Sequence, residues 1–150
     1  MRFSISIEID RPVDEVVQRF DDPDNLVKWQ PGFESFEHLS GTPGEAGAKT
    51  RLTYRMGKRS LELIETILVR DLPREFSGLY EHKHMSNTMK TTFTELEGGR
   101  TRYDTEYDYT LKRFPIKVLA FLMPGMMKKP PKEWMERFKT FVESDGQPVP

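Results

Sequence analysis

The sequence predicts an α+β fold in which a curved antiparallel sheet of about seven strands wraps around a long C-terminal helical segment. Three observations lead to this prediction. First, one segment in which apolar and polar residues alternate is followed by two short segments with helical spacing. Second, six further segments of alternating apolar and polar residues fill the middle of the chain. Third, a helical segment rich in aromatic residues ends it. Strands joined by tight turns pair antiparallel, and such a sheet buries one face. The C-terminal segment is the element large enough to cover that face.

The N-terminal part of the chain predicts one strand and two short helices. Apolar and polar residues alternate over Phe3–Ile9, which is the pattern of a half-buried strand. Asp10 and Pro12 are typical of a helix start, and valines at helical spacing follow them. A second start signal at Asp22 leads into a short helix that Pro31-Gly32 ends.

Six strands are predicted between residues 33 and 111, separated by loops and by turns such as Gly57-Lys58 and Gly98-Gly99. Within the third of these strands, Glu65 interrupts a face that is otherwise apolar. The apolar members of that face are Leu61, Leu63, Ile67 and Val69. In the next strand, alternation puts on one face Phe76, Gly78, Tyr80, His82 and His84.

Two helical pieces are predicted at the C-terminal end. The apolar stretch Phe114–Met127 predicts a buried helix that bends or ends at Pro124-Gly125. It is shorter than the roughly 20 apolar residues that span a bilayer, and a membrane-surface anchor is the weaker alternative. The second piece is expected to start near Pro131, with a break near Lys129–Pro131, because proline disfavours helical geometry in the residue before it. Residues 145–150 are expected to fray.

The length of the chain predicts a single domain over residues 1–150, and its composition excludes several classes of site. The formal net charge is −1, so the chain has no overall positive field to attract nucleic acid. Cysteine is absent, which excludes disulfides, thiolate catalysis and cysteine-ligated metals. The N-terminus alternates polar and apolar residues where a signal peptide needs a continuous apolar region, so we expect a cytoplasmic protein. The oligomeric state is left open.

The sequence resembles the START-like (SRPBCC) superfamily, and within it the bacterial polyketide cyclase/dehydrase-like proteins. The resemblance covers essentially the whole chain and is carried by the stretches IDRPVDEVVQRFDDPDNLVKW, LELIETILVRDLPREF and ELEGGRTRYDTEYDYTL, the last running into FLMPGMM. It implies the helix-grip fold. It does not imply one activity, since such proteins include cyclases, hydrolases, carriers, a toxin and chaperone activators.

A curved sheet around a helix often leaves a gap, and ligand pockets are mostly apolar with a few placed polar groups. We therefore expect a cavity between the sheet and the C-terminal helix, with a filled core as the alternative. The expected lining and ligand-binding residues are Tyr54, Leu63, Glu65, Tyr80, His82, Met89, Phe93, Tyr107, Trp134 and Phe138.

Glu65 and His82 are the candidate catalytic residues. An inward carboxylate must be paired, hydrogen-bonded or protonated, so Glu65 could orient a polar ligand group or act as an acid or base with a raised pKa. The alternative is a β-bulge or a structural pair that removes it from the site. His82 and His84 form a His-x-His pair without an obvious third ligand, so no metal site and no cofactor are predicted.

Three functions remain open on this basis. The first is binding of an apolar or amphipathic small molecule, such as a lipid, an aromatic or a polyketide-like compound. The second is an enzyme of the cyclase, dehydratase or hydrolase type on the same scaffold. The third is an interaction module that works through the segment around Met123–Met127 and the nearby lysines 128, 129 and 132. No phosphate-binding loop, nucleophile elbow or zinc-protease motif occurs.

Overall fold

The computed structural model describes residues 1–150 and contains seven strands and four α-helices. The strands are β1 (Arg2–Ile9), β2 (Phe33–Ser40), β3 (Lys49–Met56), β4 (Arg59–Asp71), β5 (Glu75–Glu81), β6 (Met85–Leu96) and β7 (Arg100–Leu111). The helices are α1 (Val13–Phe20), α2 (Leu26–Trp29), α3 (Phe114–Leu122) and α4 (Pro124–Glu143). A 3-10 turn over Pro23–Asn25 precedes α2.

The seven strands form one antiparallel sheet in the order β1-β7-β6-β5-β4-β3-β2. Strands β2 to β7 follow one another through short connections, and β1 is added beside β7, with Phe3 opposite Tyr107. Element order, sheet and long C-terminal helix confirm the predicted helix-grip architecture.

The main cluster of the hydrophobic core lies on the β1 side of the concave face. Its continuous cluster of buried side chains comes from β1, β6, β7, α1, α2 and α4, and contains none from β2 to β5. Phe138 of α4 lies at its centre with no exposed surface, and its ring packs against Phe20, Trp29 and Tyr103. The core therefore joins α4 to the β1 side of the sheet.

The predicted break in the last helix is wrong. Helix α4 continues through Pro130 and Pro131 from Pro124 to Glu143. The two prolines leave the carbonyl groups of Met126 and Met127 without helical donors. Both methionines lie in the exposed first turns of α4, where water can hydrate those carbonyls, whereas the later turns are held by the buried core. The predicted stop at Pro124-Gly125 is found: α3 ends before Met123, and α4 begins with Pro124.

The expectation that the C-terminal tail frays is wrong. A left-handed turn at Asp145 and Gly146 reverses the chain after α4. Val149 then donates a backbone hydrogen bond of 2.8 Å to Lys28 and packs against the core. Arg137 donates hydrogen bonds to the carbonyl groups of Val149 and Pro150. These contacts compensate for the lost chain entropy, which sequence position alone does not reveal.

Helix α3 is not the buried helix that its apolar sequence predicts. Only Ala120 is buried, while Phe114 is 77% exposed, Phe121 85% and Leu122 67%. Because the core is completed by α4, β1 and β7, no element lies outside α3 to cover its outer side.

Candidate functional site

Glu65 of β4 and Tyr80 of β5 form a polar pair on the concave face of the sheet. The two residues are directly opposite in the antiparallel register, and the Tyr80 hydroxyl donates a hydrogen bond of 2.8 Å to Glu65 Oε2. Directly opposite side chains on neighbouring strands lie close enough for such contact. The register therefore brings together two residues that the sequence analysis placed on inward faces.

A β-bulge lies close to Glu65 but does not turn it outward. The register between β4 and β5 shifts between Ile67 and Val69, two residues beyond Glu65. Val69 is consequently exposed, although the alternation of the sequence placed it on the same face as Glu65. An extra residue in one strand reverses the direction of the side chains that follow it. Glu65, which precedes the bulge, keeps its inward orientation.

Gly78 makes room for the Tyr80 ring. A Cβ atom at position 78 would lie 2.9 Å from Tyr80 Cε2 and 3.0 Å from its hydroxyl oxygen. The ring therefore lies along the sheet surface over the glycine, in the space that a side chain would otherwise occupy. Glycine within a strand often marks such a close approach, and this signal was present in the sequence.

Burial determines the protonation of the pair. Removal from water raises the pKa of the Glu65 carboxyl group, and the Tyr80 hydrogen bond offsets part of that effect. Burial also raises the pKa of Tyr80 well above the usual tyrosine value, with the neighbouring Glu65 charge acting in the same direction. Tyr80 thus remains a hydrogen-bond donor, and Glu65 is suited to hold a proton at a higher pH than an exposed glutamate.

The side chains around this pair are less completely buried than those of the core around Phe138. Glu65, Tyr80 and the neighbouring Leu61 and Leu63 are half-buried, in contrast to the fully buried rings of the core. Among the strands, the backbone of α4 approaches only β1 closely, and side chains of α4 reach the strands beyond it. We call the part of the concave face that these four side chains border the β4–β5 gap.

Tyr54 and Trp134 bound the gap on the β3 side. Their rings are 5.4 Å apart, which links β3 to α4. The Tyr54 hydroxyl donates a hydrogen bond of 2.7 Å to Gln30 Oε1, a partner that the sequence analysis did not identify. Burial, and secondarily the charge of Glu65, raises the pKa of Tyr54. Tyr54 is opposite Leu61, four residues before Glu65 in β4, so Tyr54 and Glu65 face the same side of the sheet.

The other predicted lining residues divide between the core and the opposite surface. Phe93, Tyr107 and Phe138 belong to the buried cluster, and Met89 packs against it. His82 follows the end of β5 and lines an open groove on the convex face together with Glu62, Ile64 and Glu81. It is therefore separated from Glu65 by the sheet, because β5 ends before the alternation reaches position 82.

No three His, Asp or Glu side chains are placed together as metal ligands. No helix of the chain combines the length and the apolar character that crossing a bilayer requires.

Comparison with known proteins gives a family and a common fold. A family model described as polyketide cyclase / dehydrase and lipid transport matches residues 1–143. No curated protein matches the sequence. A conserved protein from Geobacillus kaustophilus is similar in structure with a TM-score of 0.78 and 17% identity, over 96% of each chain.

Two other similar structures belong to an aromatase/cyclase and to a START superfamily protein. An aromatase/cyclase from a Streptomyces species has a TM-score of 0.75 and 13% identity, over 95% of this chain and 93% of its own. A START superfamily protein from Mycobacterium smegmatis has a TM-score of 0.71 and 15% identity, over 97% of this chain and 96% of its own. At these identities the similarity concerns the fold.

Proposed function

Since the chain belongs to the polyketide cyclase / dehydrase and lipid transport family, we propose that it binds an apolar or amphipathic small molecule in the β4–β5 gap. The family match bears out the resemblance seen in the sequence and supports a hydrophobic ligand as the general class. The finer proposal, a lipid, aromatic or polyketide-like compound held between the sheet and α4, depends on the geometry of the gap.

The observation that carries the proposal is the uneven burial of side chains on the concave face. Aromatic side chains pack tightly on the β1 side, while Leu61, Leu63, Glu65 and Tyr80 keep accessible surface on the β4 and β5 side. An apolar surface with one polar pair is the usual chemistry of a small-molecule site. The leucines would contact the apolar body of the ligand, and the Glu65 carboxyl group would meet a hydroxyl or carbonyl group.

Native mass spectrometry of the freshly purified protein, followed by titration with the neutral apolar dye N-phenyl-1-naphthylamine, tests this proposal. Leu63→Phe places extra volume in the gap, and we expect at least tenfold weaker dye binding. Leu68→Phe is the matched control, because Leu68 is an exposed residue of the same strand. A clean apo mass together with equal dye affinity for the wild type and Leu63→Phe would refute the proposal.

One observation favours a second candidate function, acid–base catalysis on the bound molecule. Glu65 combines an inward position, a raised pKa and a hydrogen bond to a phenol, and perturbed groups of this kind are common in active sites. Protonated Glu65 would give its proton to a leaving hydroxyl group, and its carboxylate would remove a proton next to a carbonyl group.

The catalytic candidate is tested on the compound that co-purifies with the protein. The wild type is incubated with that compound, and its mass is followed over time. Loss of the mass of one water by the wild type, absent in Glu65→Gln although the compound still binds, would support catalysis. An unchanged compound in both proteins would leave ligand binding as the function and would refute catalysis of that compound.

A further inference from the structure

Helix α3 carries an apolar stripe that faces solvent. Phe114, Val118, Phe121 and Leu122 recur at helical spacing and are all exposed, while Ile116 and Ala120 face the protein. The stripe continues past the end of the helix into Met123 and Met126, which are about half exposed. A contiguous exposed apolar surface of this kind marks an interaction site.

Every charged residue of the chain segment that carries this stripe is positive. Between Thr110 and Lys132 the chain contains six cations and no acidic residue. These cations are Lys112, Arg113, Lys117, Lys128, Lys129 and Lys132. Lys117 lies within the apolar stripe itself, one helical turn from both Phe114 and Phe121.

None of these six cations forms an ion pair within the protein, although Glu133 and Glu136 line the same groove as the three lysines of α4. The chain has thirteen ion pairs, and none of them includes a residue between Lys112 and Lys132. Ten other lysines and arginines are paired with carboxylates elsewhere on the surface. Lys83 adds to the positive field, because Lys112 donates a backbone hydrogen bond of 2.9 Å to His84 and so brings the turn between β5 and β6 beside α3.

We propose that α3 and the first turns of α4 form a surface that docks on an anionic lipid bilayer. The exposed rings would enter the boundary between headgroups and acyl chains, and the surrounding cations would contact lipid phosphates and carboxylates. Helix α3 has nine residues and an apolar outer side, so it would lie in the interface and would not cross the membrane. Docking is a property of this outer surface and does not depend on ligand binding in the β4–β5 gap.

Charge complementarity selects the bilayer over a second copy of the chain. Dimerisation through α3 would bring two sets of six unpaired cations close together. Repulsion between these like charges opposes such a contact. An anionic leaflet presents many negative groups at once and complements all six cations.

Vesicle sedimentation of the full-length protein tests this proposal. The vesicles contain phosphatidylcholine and phosphatidylserine at about two to one, or phosphatidylcholine alone. We expect binding to the anionic vesicles that weakens as salt is raised from ~0.1 M to ~1 M, and much weaker binding to the neutral ones.

Two pairs of variants separate the apolar from the electrostatic contribution. Phe121→Ser with Leu122→Ser should weaken binding at least about tenfold, while Val27→Ser with Leu68→Ser, which alters exposed apolar residues elsewhere, should not. Lys117→Gln with Lys129→Gln should weaken binding by about thirtyfold, whereas Lys90→Gln with Arg102→Gln removes two cations from the convex face and should have little effect.

Three outcomes would overturn the docking proposal. The first is that the wild type does not sediment with anionic vesicles. The second is that the wild type and the Phe121→Ser, Leu122→Ser variant sediment equally. The third is that the wild type binds no vesicles and forms a concentration-dependent dimer, which this variant abolishes. Dye binding in the β4–β5 gap should be unchanged in all four double variants. Failure of docking is therefore distinguishable from failure of ligand binding.

Discussion

Glu65 and Tyr80 stand directly opposite one another on adjacent strands, and their hydrogen bond joins an ionisable group to a donor within the sheet itself. No helix contributes to the pair. Its geometry therefore depends on the β4–β5 register and on the space over Gly78.

Loss of the Tyr80 hydroxyl should destabilise the fold when Glu65 is ionised. We expect Tyr80→Phe to lower the free energy of unfolding by about 1–3 kcal/mol at neutral pH, because it leaves a largely buried carboxylate without its donor. The loss should be smaller near pH 4, where a protonated Glu65 needs the bond less. Urea unfolding at both pH values measures the difference, and an equal loss at both would contradict it.

Replacement of Glu65 should change how stability depends on pH. The pKa of Glu65 is higher in the folded than in the unfolded protein, so ionisation favours unfolding. The stability that Glu65 contributes is present below its unfolded pKa of about 4.3 and is lost as the pH rises through the folded value. We expect Glu65→Gln to gain stability relative to the wild type between pH 4 and neutrality in chemical unfolding. A constant difference over that range would contradict the raised pKa.

Two glycines with similar backbone conformations should differ in their tolerance of alanine. Gly32 and Gly44 both have positive φ values, +76° and +80°. A Cβ atom at Gly32 would lie 2.3 Å from the carbonyl oxygen of Arg55, whereas Gly44 has open space. Gly44→Ala should cost about 1–2 kcal/mol from the left-handed conformation, and Gly32→Ala should cost at least ~1 kcal/mol more from the clash. Equal melting temperatures of the two variants would contradict the close approach of Gly32 to Arg55.

The internal prolines of α4 should limit its stability. Pro131→Ala restores a helical donor to the carbonyl group of Met127, and we expect it to raise the free energy of unfolding by about 1–3 kcal/mol. Pro124→Ala is the control, since proline at the first position of a helix costs little. Thermal unfolding of both variants checks this, and equal effects would show that Pro131 does not disturb the helix.

Truncation of a fully buried phenylalanine should lower stability much more than truncation of a highly exposed one. Phe138 has no exposed surface, and Phe138→Ala should cost about 3–5 kcal/mol. Phe121 is 85% exposed, and Phe121→Ala should change stability by less than about 0.5 kcal/mol. A large loss of stability for Phe121→Ala in urea unfolding would mean that α3 is covered in solution.

Much of the fold follows from local patterns that can be recognised without coordinates. The alternation from Tyr103 to Leu111 predicts β7, and the helical spacing after Pro12 predicts α1, because period and turn chemistry depend on neighbouring residues. The inward position of Glu65 follows from the same alternation. Extension of that alternation beyond Glu81 predicts an inward His82, but β5 ends at Glu81. The end of a strand depends on its partners, so it is less accessible to sequence reasoning.

The sequence by itself determined the order of the elements, the antiparallel sheet and the inward placement of Glu65 and Tyr80, since each of these follows from side-chain periodicity and tight turns. The tertiary structure decided which apolar residues are covered. Phe138 is buried in the folded protein, whereas Phe121 is exposed to solvent. Helix α4 continues through two prolines, and Val149 packs against the core. Burial is a property of the whole packed assembly, because a side chain is removed from water only by elements distant in the chain, and these elements meet according to the shape and volume of all the others.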